Sequence, residues 1–132
     1  MKNHIQINIP PNLDNPPEEN EIQIAQIIAM HYNTSVDFLR PVDDYKRKTP
    51  DIVLNGQLWE IKSPKGKSRN TIGRQMKRAV KQSKNIIVDG RRSPLVDDVI
   101  KSELIKQCAE RRSLKKLIFI SKKQLVIEIL WK

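Results

Sequence analysis

Apolar runs of strand length alternate along this chain with amphipathic runs of helix length, and that alternation predicts an α/β domain, a mixed β-sheet flanked by helices. Two further observations support it. Asn55-Gly56 sits between two apolar runs and marks an antiparallel hairpin. The chain has 132 residues, 38% apolar and 30% charged, which suits one core and one domain rather than two. Its single cysteine, Cys108, excludes an internal disulfide, and with only His4 and His31 beside it a zinc-finger ligand set is excluded as well. No apolar run approaches the roughly 20 residues of a membrane-spanning helix, and Met1 to Asp14 lacks the apolar core of a signal peptide. A soluble protein with no membrane partner is expected.

Residues 1–17 carry Pro10-Pro11 and Pro16-Pro17, so they are expected to form an extended leader, with the packed domain covering residues 18–132. Pro17 followed by Glu18, Glu19 and Glu21 suits a helix start, where acids meet the positive end of the dipole. Ile22, Ala25, Ile28, Ala29 and Tyr32 continue that helix at a core-facing spacing. Val36 to Leu39 is a short strand stopped by Pro41, and residues 43–49 form a polar loop. Asp51 to Leu54, Asn55-Gly56 and Gln57 to Lys62 read as a hairpin on a two-residue type I′ turn. Beyond a loop from Ser63 to Lys67, a helix from Thr71 to Ser83 turns Ile72, Met76, Ala79, Val80 and Ser83 inward. Asn85 to Asp89 is a short buried strand. Val96, Ile100, Leu104, Ile105 and Cys108 mark a further helix stripe, and the strands Leu117 to Ile120 and Leu125 to Leu130 close the domain.

Charge is distributed unevenly. Residues 1–44 hold two basic and seven acidic side chains, whereas residues 45–132 hold 23 basic and eight acidic ones. From Lys62 to Arg92 there are 11 basic residues against one acid, Asp89, which is the footprint of a polyanion-binding protein. Solvated surface lysine would produce the same composition, so a local chemical pattern has to decide.

The hairpin supplies one. Pairing across the turn sets Leu54 against Gln57, Val53 against Leu58, Ile52 against Trp59 and Asp51 against Glu60. Strand side chains alternate, so Asp51, Glu60 and Lys62 share one face. Directly opposed Cβ atoms lie about 4.5–5.5 Å apart, and two carboxylates at that separation repel unless a cation lies between them. A hard divalent ion takes oxygen ligands, and Asp51, Glu60 and the Ile61 carbonyl, completed by waters and a phosphate oxygen, would suit Mg²⁺, with Mn²⁺ or Zn²⁺ as substitutes. Lys62, two residues from Glu60, could orient water or offset charge on a phosphoryl group. The competing reading is an exposed acidic surface with Asp51 and Lys62 as a cross-strand ion pair.

Pro50-Asp51 followed by Glu60-Ile61-Lys62 resembles the core motif of the PD-(D/E)xK nuclease superfamily, whose restriction-endonuclease-like core runs helix, three strands, helix, strand. Here a helix and two strands would be added to it. More narrowly, Lys48 to Asp51, Trp59 to Pro64 with Gly66, and Gln82-Ser83 with Asn85 to Asp89 resemble the CdiA C-terminal tRNA nuclease domains of contact-dependent inhibition toxins. That resemblance implies a metal-dependent endonuclease cutting tRNA or another structured RNA, with an immunity or inhibitor protein as partner. It implies action in the bacterial cytoplasm, or delivery into the cytoplasm of a target cell. Relatives in mobile elements extend the implied setting beyond toxins. A further acid from the first helix is implied as an accessory catalytic group. Glu21 is the candidate because it heads the buried stripe, and Glu18 competes with it.

Further candidates for nucleic-acid contact are Ser63, Lys65 and Lys67 in the loop after Lys62, then Arg74, Lys77, Arg78 and Lys81 on one helix face with Gln82 beside them. Asp89 is expected to cap the following turn, His31 and Cys108 to be structural, and Trp59 and Trp131 to fill the core. The alternatives are a DNA endonuclease of the same fold, a non-catalytic nucleic-acid-binding protein and an adaptor. Cutting both strands of a duplex would favour a homodimer.

Overall fold

A computed structural model describes residues 5–41 and 49–132. These residues form three helices and one seven-stranded sheet, in the order β1 (Ile7–Asn8), α1 (Glu19–Tyr32), β2 (Val36–Phe38), β3 (Ile52–Leu54), β4 (Gln57–Lys62), α2 (Arg69–Ala79), β5 (Asn85–Asp89), α3 (Asp97–Glu110), β6 (Lys116–Ile120) and β7 (Val126–Trp131). The strands lie in sequence order across the sheet. β2, β3 and β4 are antiparallel, β4, β5 and β6 are parallel, and β7 returns antiparallel. The mixed sheet flanked by helices is thus the architecture the alternation predicts.

Two buried clusters lie on opposite faces. α1 covers Val36, Phe38, Ile52, Leu54, Trp59, Ile61 and Ile87 on one face, and α2 and α3 cover Ile86, Val88, Leu117 and Phe119 on the other. Both crossovers step the same way along the sheet, β4 to β5 to β6. The fixed hand of parallel crossovers therefore puts α2 and α3 on one side.

Three expectations need correction. Residues 6–8 are extended, as the neighbouring prolines favour, but they are not outside the packed domain. β1 pairs in parallel with β2, the Val36 N–H bonds the Gln6 carbonyl at 3.0 Å, and Ile7 packs on the α1 core. The α3 stripe is rotated. Val96 and Ile105 are exposed, while Glu103 and Gln107 are buried beside Ile100 and Leu104. Those polar side chains are satisfied inside the α2–α3 contact. Arg111 Nε donates to Gln107 Oε1 at 2.7 Å, and Arg111 also donates to the Gly73 carbonyl at 3.2 Å. A Cβ on Gly73 would stand 3.1 Å from Gln107 Nε2, a tight contact that the glutamine side chain would have to yield to. Trp131 is the third. It is half exposed, stacked at 5.9 Å on Tyr32 with Lys116 over its ring, rather than filling the core, whereas Trp59 is buried.

His31 is likewise exposed, its ring edge-on to Tyr32 at 4.7 Å, so it lies off the core face of α1. Cys108 is half-buried against the α2–α3 cluster, and burial raises its thiol pKa. The polar loop expected at residues 43–49 falls almost wholly outside the described residues.

Candidate active site

Asn55 and Gly56 both take positive φ, 52° and 74°, and the hairpin register is Leu54 to Gln57, Val53 to Leu58 and Ile52 to Trp59, as the turn chemistry requires. The ladder ends there. Asp51 gives its N–H to the Trp59 carbonyl at 3.0 Å, and its carboxylate Oδ2 accepts the Ile61 N–H at 2.7 Å. From Glu60 to Lys62, β4 pairs with β5 instead. The Asp51 side chain therefore fills the gap that opens where β3 leaves β4, at the carboxyl end of the parallel strands, where α/β sheets place their sites. The Ile61 N–H faces Asp51, and in a strand the carbonyl of the same residue turns to the same edge, which leaves it available to this gap.

Glu60 points toward α2 and is 4% exposed. Its Oε2 lies 3.0 Å from Lys62 Nζ, while the buried Oε1 has no hydrogen-bond partner. This removes the alternative of an exposed Asp51–Lys62 ion pair, because Lys62 is engaged by a buried Glu60. Burial pushes the Glu60 carboxyl up to about 8, helped by the negative charge of Asp51 and resisted by Lys62. Glu21, one turn into α1, is half-buried and also raised, chiefly by burial and then by the charges of Asp51 and Glu18. The hydrogen bond it accepts from the Glu18 N–H, at 3.1 Å, acts the other way. Glu21 is thus both a helix cap and a side chain that feels Asp51. Asp51, Glu60 and Glu21 are brought into one electrostatic neighbourhood from three elements.

No three His, Cys, Asp or Glu side chains among the described residues converge as a ready-made metal cage. An ion would need Asp51, Glu60, the Ile61 carbonyl, waters and a substrate oxygen together. The orphaned Glu60 Oε1 beside a second carboxylate fits that demand, since an unpaired buried acid is costly unless something positive meets it.

Glu60 titration makes a measurable difference without metal. A carboxyl whose folded pKa lies above its unfolded value near 4.5 favours folding fully at low pH. That advantage is lost as pH rises from about 4.5 to about 8. Metal-free protein should therefore lose thermal stability across that interval, at up to about 1.4 kcal/mol per pH unit, with Glu21 acting in the same direction. In Glu60→Gln the decline should be much shallower, and equal slopes in both proteins would contradict this account of Glu60.

A cavity of about 280 Å³ opens beside Ile61 and Lys62, between the start of α1 and the exposed side of α2. Of the basic candidates, Lys65 and Arg78 line it, as does Ser63, whose hydroxyl donates to Asp89 at 3.4 Å. Lys67, Arg74, Lys77 and Lys81 are exposed and lie off its lining, and Gln82 is half-buried with its Oε1 unpaired, so these five are not brought to the site. Asp89 caps the turn as expected. Its Oδ1 accepts from Arg91 N and Nε at 3.0 Å each, and Arg91 reaches on to Gln23 and the Asn20 carbonyl, tying β5 to α1. Gln75, which shares a sequence stripe with Arg78 and Gln82, also lines the cavity, as does Arg92, which was not singled out by sequence. The clue for Arg92 was its place just after a buried parallel strand.

The family described as "Contact-dependent growth inhibition CdiA C-terminal domain" matches residues 48–126, more than half of the chain. The chain belongs to that family. The matched segment holds Asp51, Glu60, Lys62, Arg78 and Arg92, and leaves Glu21 and the amino-terminal arm outside it. A chain of the CdiA-CT/CdiI toxin and immunity complex from Burkholderia pseudomallei has the same fold, with a TM-score of 0.60 at 19% identity over 93% of this chain and 97% of that one. No curated protein matches the sequence.

Proposed function

We propose that this CdiA C-terminal domain is a metal-dependent nuclease of the PD-(D/E)xK type, acting as a contact-dependent inhibition toxin on tRNA or another structured RNA. The observation that carries the reading is Glu60, a buried carboxylate with one oxygen on Lys62 and the other unpaired, set beside Asp51 at the end of the parallel strands. Asp51, Glu60 and the Ile61 carbonyl would hold Mg²⁺ or Mn²⁺. Such an ion lowers the pKa of water and draws charge from a phosphoryl oxygen. Lys62 holds Glu60 in place and presents an ammonium to water or to the developing charge. Arg78, Arg92 and Lys65 grip phosphate oxygens, and Glu21 adds an accessory carboxylate. The family setting supports delivery into the cytoplasm of a target cell. No helix among the described residues is long and apolar enough to cross a membrane. An immunity protein as partner is supported by the toxin and immunity complex of matching fold.

Among the described residues no aromatic side chain lines the cavity, which supports a second substrate, duplex DNA, because unpaired bases have no ring from these residues to stack on there. One experiment separates the readings: total tRNA, rRNA and plasmid incubated with the protein in Mg²⁺, in Mn²⁺ or in EDTA. Cleavage of tRNA in either metal and none in EDTA is expected. Cleavage of plasmid at concentrations that spare tRNA would move the substrate to DNA, and equal cleavage in EDTA would end the metal mechanism. Binding follows the same geometry. Arg78→Ala with Arg92→Ala should flatten the log–log salt dependence by about 0.7–0.9 for each phosphate no longer neutralised, and Lys77→Ala with Lys81→Ala by much less.

A further inference from the structure

Three walls of the cavity beside Lys62 come from separate elements: Glu18, Asn20 and Glu21 from the start of α1, Ser63 and Lys65 from the loop between β4 and α2, and Arg92 from the turn after β5. Asp89 and Arg91 are not among the residues that line it, yet all three walls are tied to this pair. Asp89 is 1% exposed at the end of β5. Its carboxylate accepts from Arg91 Nε on Oδ1 and from Nη2 on Oδ2, at 3.0 and 3.1 Å, and Oδ2 also accepts the Ser63 hydroxyl. The far side of the same guanidinium donates to Gln23 Oε1 at 2.9 Å and to the Asn20 carbonyl at 3.1 Å. Asn20 passes the contact on. With its carboxamide oriented to satisfy both ends, it donates to Glu18 at 3.2 Å and accepts from Arg92 at 3.1 Å, and the Glu18 N–H is bonded to Glu21.

We propose that Asp89 and Arg91 are positioning residues, a clamp that holds the α1 wall with Glu21, the β4–α2 loop and the Arg92 turn in register around Lys62. The inference rests on the nuclease reading above. A turn cap alone needs only the Arg91 N–H on Asp89 Oδ1, at 3.0 Å. The other four bonds of Arg91 come from its guanidinium, whose planar fork fixes orientation as well as distance. Both charges are largely withdrawn from water, with side chains 0% and 12% exposed, so neither can move without leaving the other unpaired. Such an investment is far more than the turn requires. It matches what the site requires, because groups carried on three elements act together only in register, and a displacement of about 1 Å can cost on the order of 10²-fold in rate. Arg91 thus acts on the chemistry through Glu21 and Arg92, from outside the cavity.

Asp89→Asn separates the cap from the clamp, because its carboxamide oxygen still accepts the Arg91 N–H while its Nδ2 cannot accept from Arg91 Nη2. Backbone ¹⁵N order parameters, measured without nucleic acid, should fall together at residues 20–23, at Ser63 and Lys65, and at residues 91–93. With tRNA in Mg²⁺, at a temperature where the variant is fully folded, kcat should fall about 10–100-fold. Gln23→Ala removes one acceptor from an exposed position and keeps the Asp89–Arg91 pair, so it should fold and still lower kcat about threefold to tenfold. Gln26→Ala, exposed one turn further along α1, should match the wild type. The decisive readout is the cycle of Gln23→Ala with Glu21→Gln. A positioning effect exercised through Glu21 has little left to act on once that carboxylate is gone, so the Gln23→Ala loss should shrink to about twofold or less. Additive losses, or order parameters that fall only at residues 91–93, would overturn the proposal. A protein whose three walls loosen together in Asp89→Asn yet which cuts no nucleic acid would keep the clamp and lose the nuclease reading.

Discussion

Asp51→Asn and Glu60→Gln should each lower metal-dependent cleavage by about 10²–10⁴-fold while leaving the fold intact. Each removes one of two charges that the fold sets against each other at the end of β3 and in β4. Neither removes a core contact. In Asp51→Asn the carboxamide oxygen can still accept the Ile61 N–H, so the hydrogen bond closing the gap beside β4 survives. In Glu60→Gln the carboxamide oxygen can still accept from Lys62 Nζ. Metal-free stability at neutral pH should be equal or higher in both variants, because the cost of a raised carboxyl pKa is relieved. Loss of activity together with retained or increased melting temperature is therefore the signature to look for in parallel cleavage and thermal-melt measurements. Either variant cleaving at the full rate would end the role of the pair, and a collapse of the fold would mean that the carboxylates are structural.

The parts of this site legible in sequence were those governed by local rules. Asn55-Gly56 sets a two-residue turn through backbone conformation alone, the turn sets the register, and the register puts Asp51 across from the Glu60 region. What the rules could not supply was the departure from the ladder at Asp51, where a side chain replaces a strand as the partner of Ile61. Nor does a period of two say which face of β4 is closed. Glu60 is buried because α2 folds over it, and nothing in Gln57 to Lys62 states that. β1 was missed because two paired residues carry no pattern, and α3 was rotated because Glu103 and Gln107 are buried by pairing rather than by apolarity. Arg92 and Gln75 reach the cavity from separate elements, a convergence visible only once the crossovers have been built.

Lys62→Arg should be as inactive as Lys62→Met, a loss of about 10²-fold or more, although the arginine keeps the charge. The lysine is largely buried, with its Nζ 3.0 Å from Glu60 Oε2. Beside it, Ile72, Met76 and Val88 border a crevice too narrow for a water molecule, so a planar guanidinium cannot settle against α2 and has to swing into the open cavity, away from the place of the ammonium beside Glu60. The two variants should part company in their stability. Lys62 holds the Glu60 pKa down, so Lys62→Met should raise it further and extend the loss of metal-free stability to pH values above 8. Lys62→Arg keeps a positive charge nearby and should follow the wild-type pH profile more closely. Equal inactivity with unequal pH profiles would assign the catalytic requirement to the placement of a compact ammonium rather than to charge alone. Activity of Lys62→Arg within about threefold of wild type would instead reduce Lys62 to an electrostatic counterweight for Glu60.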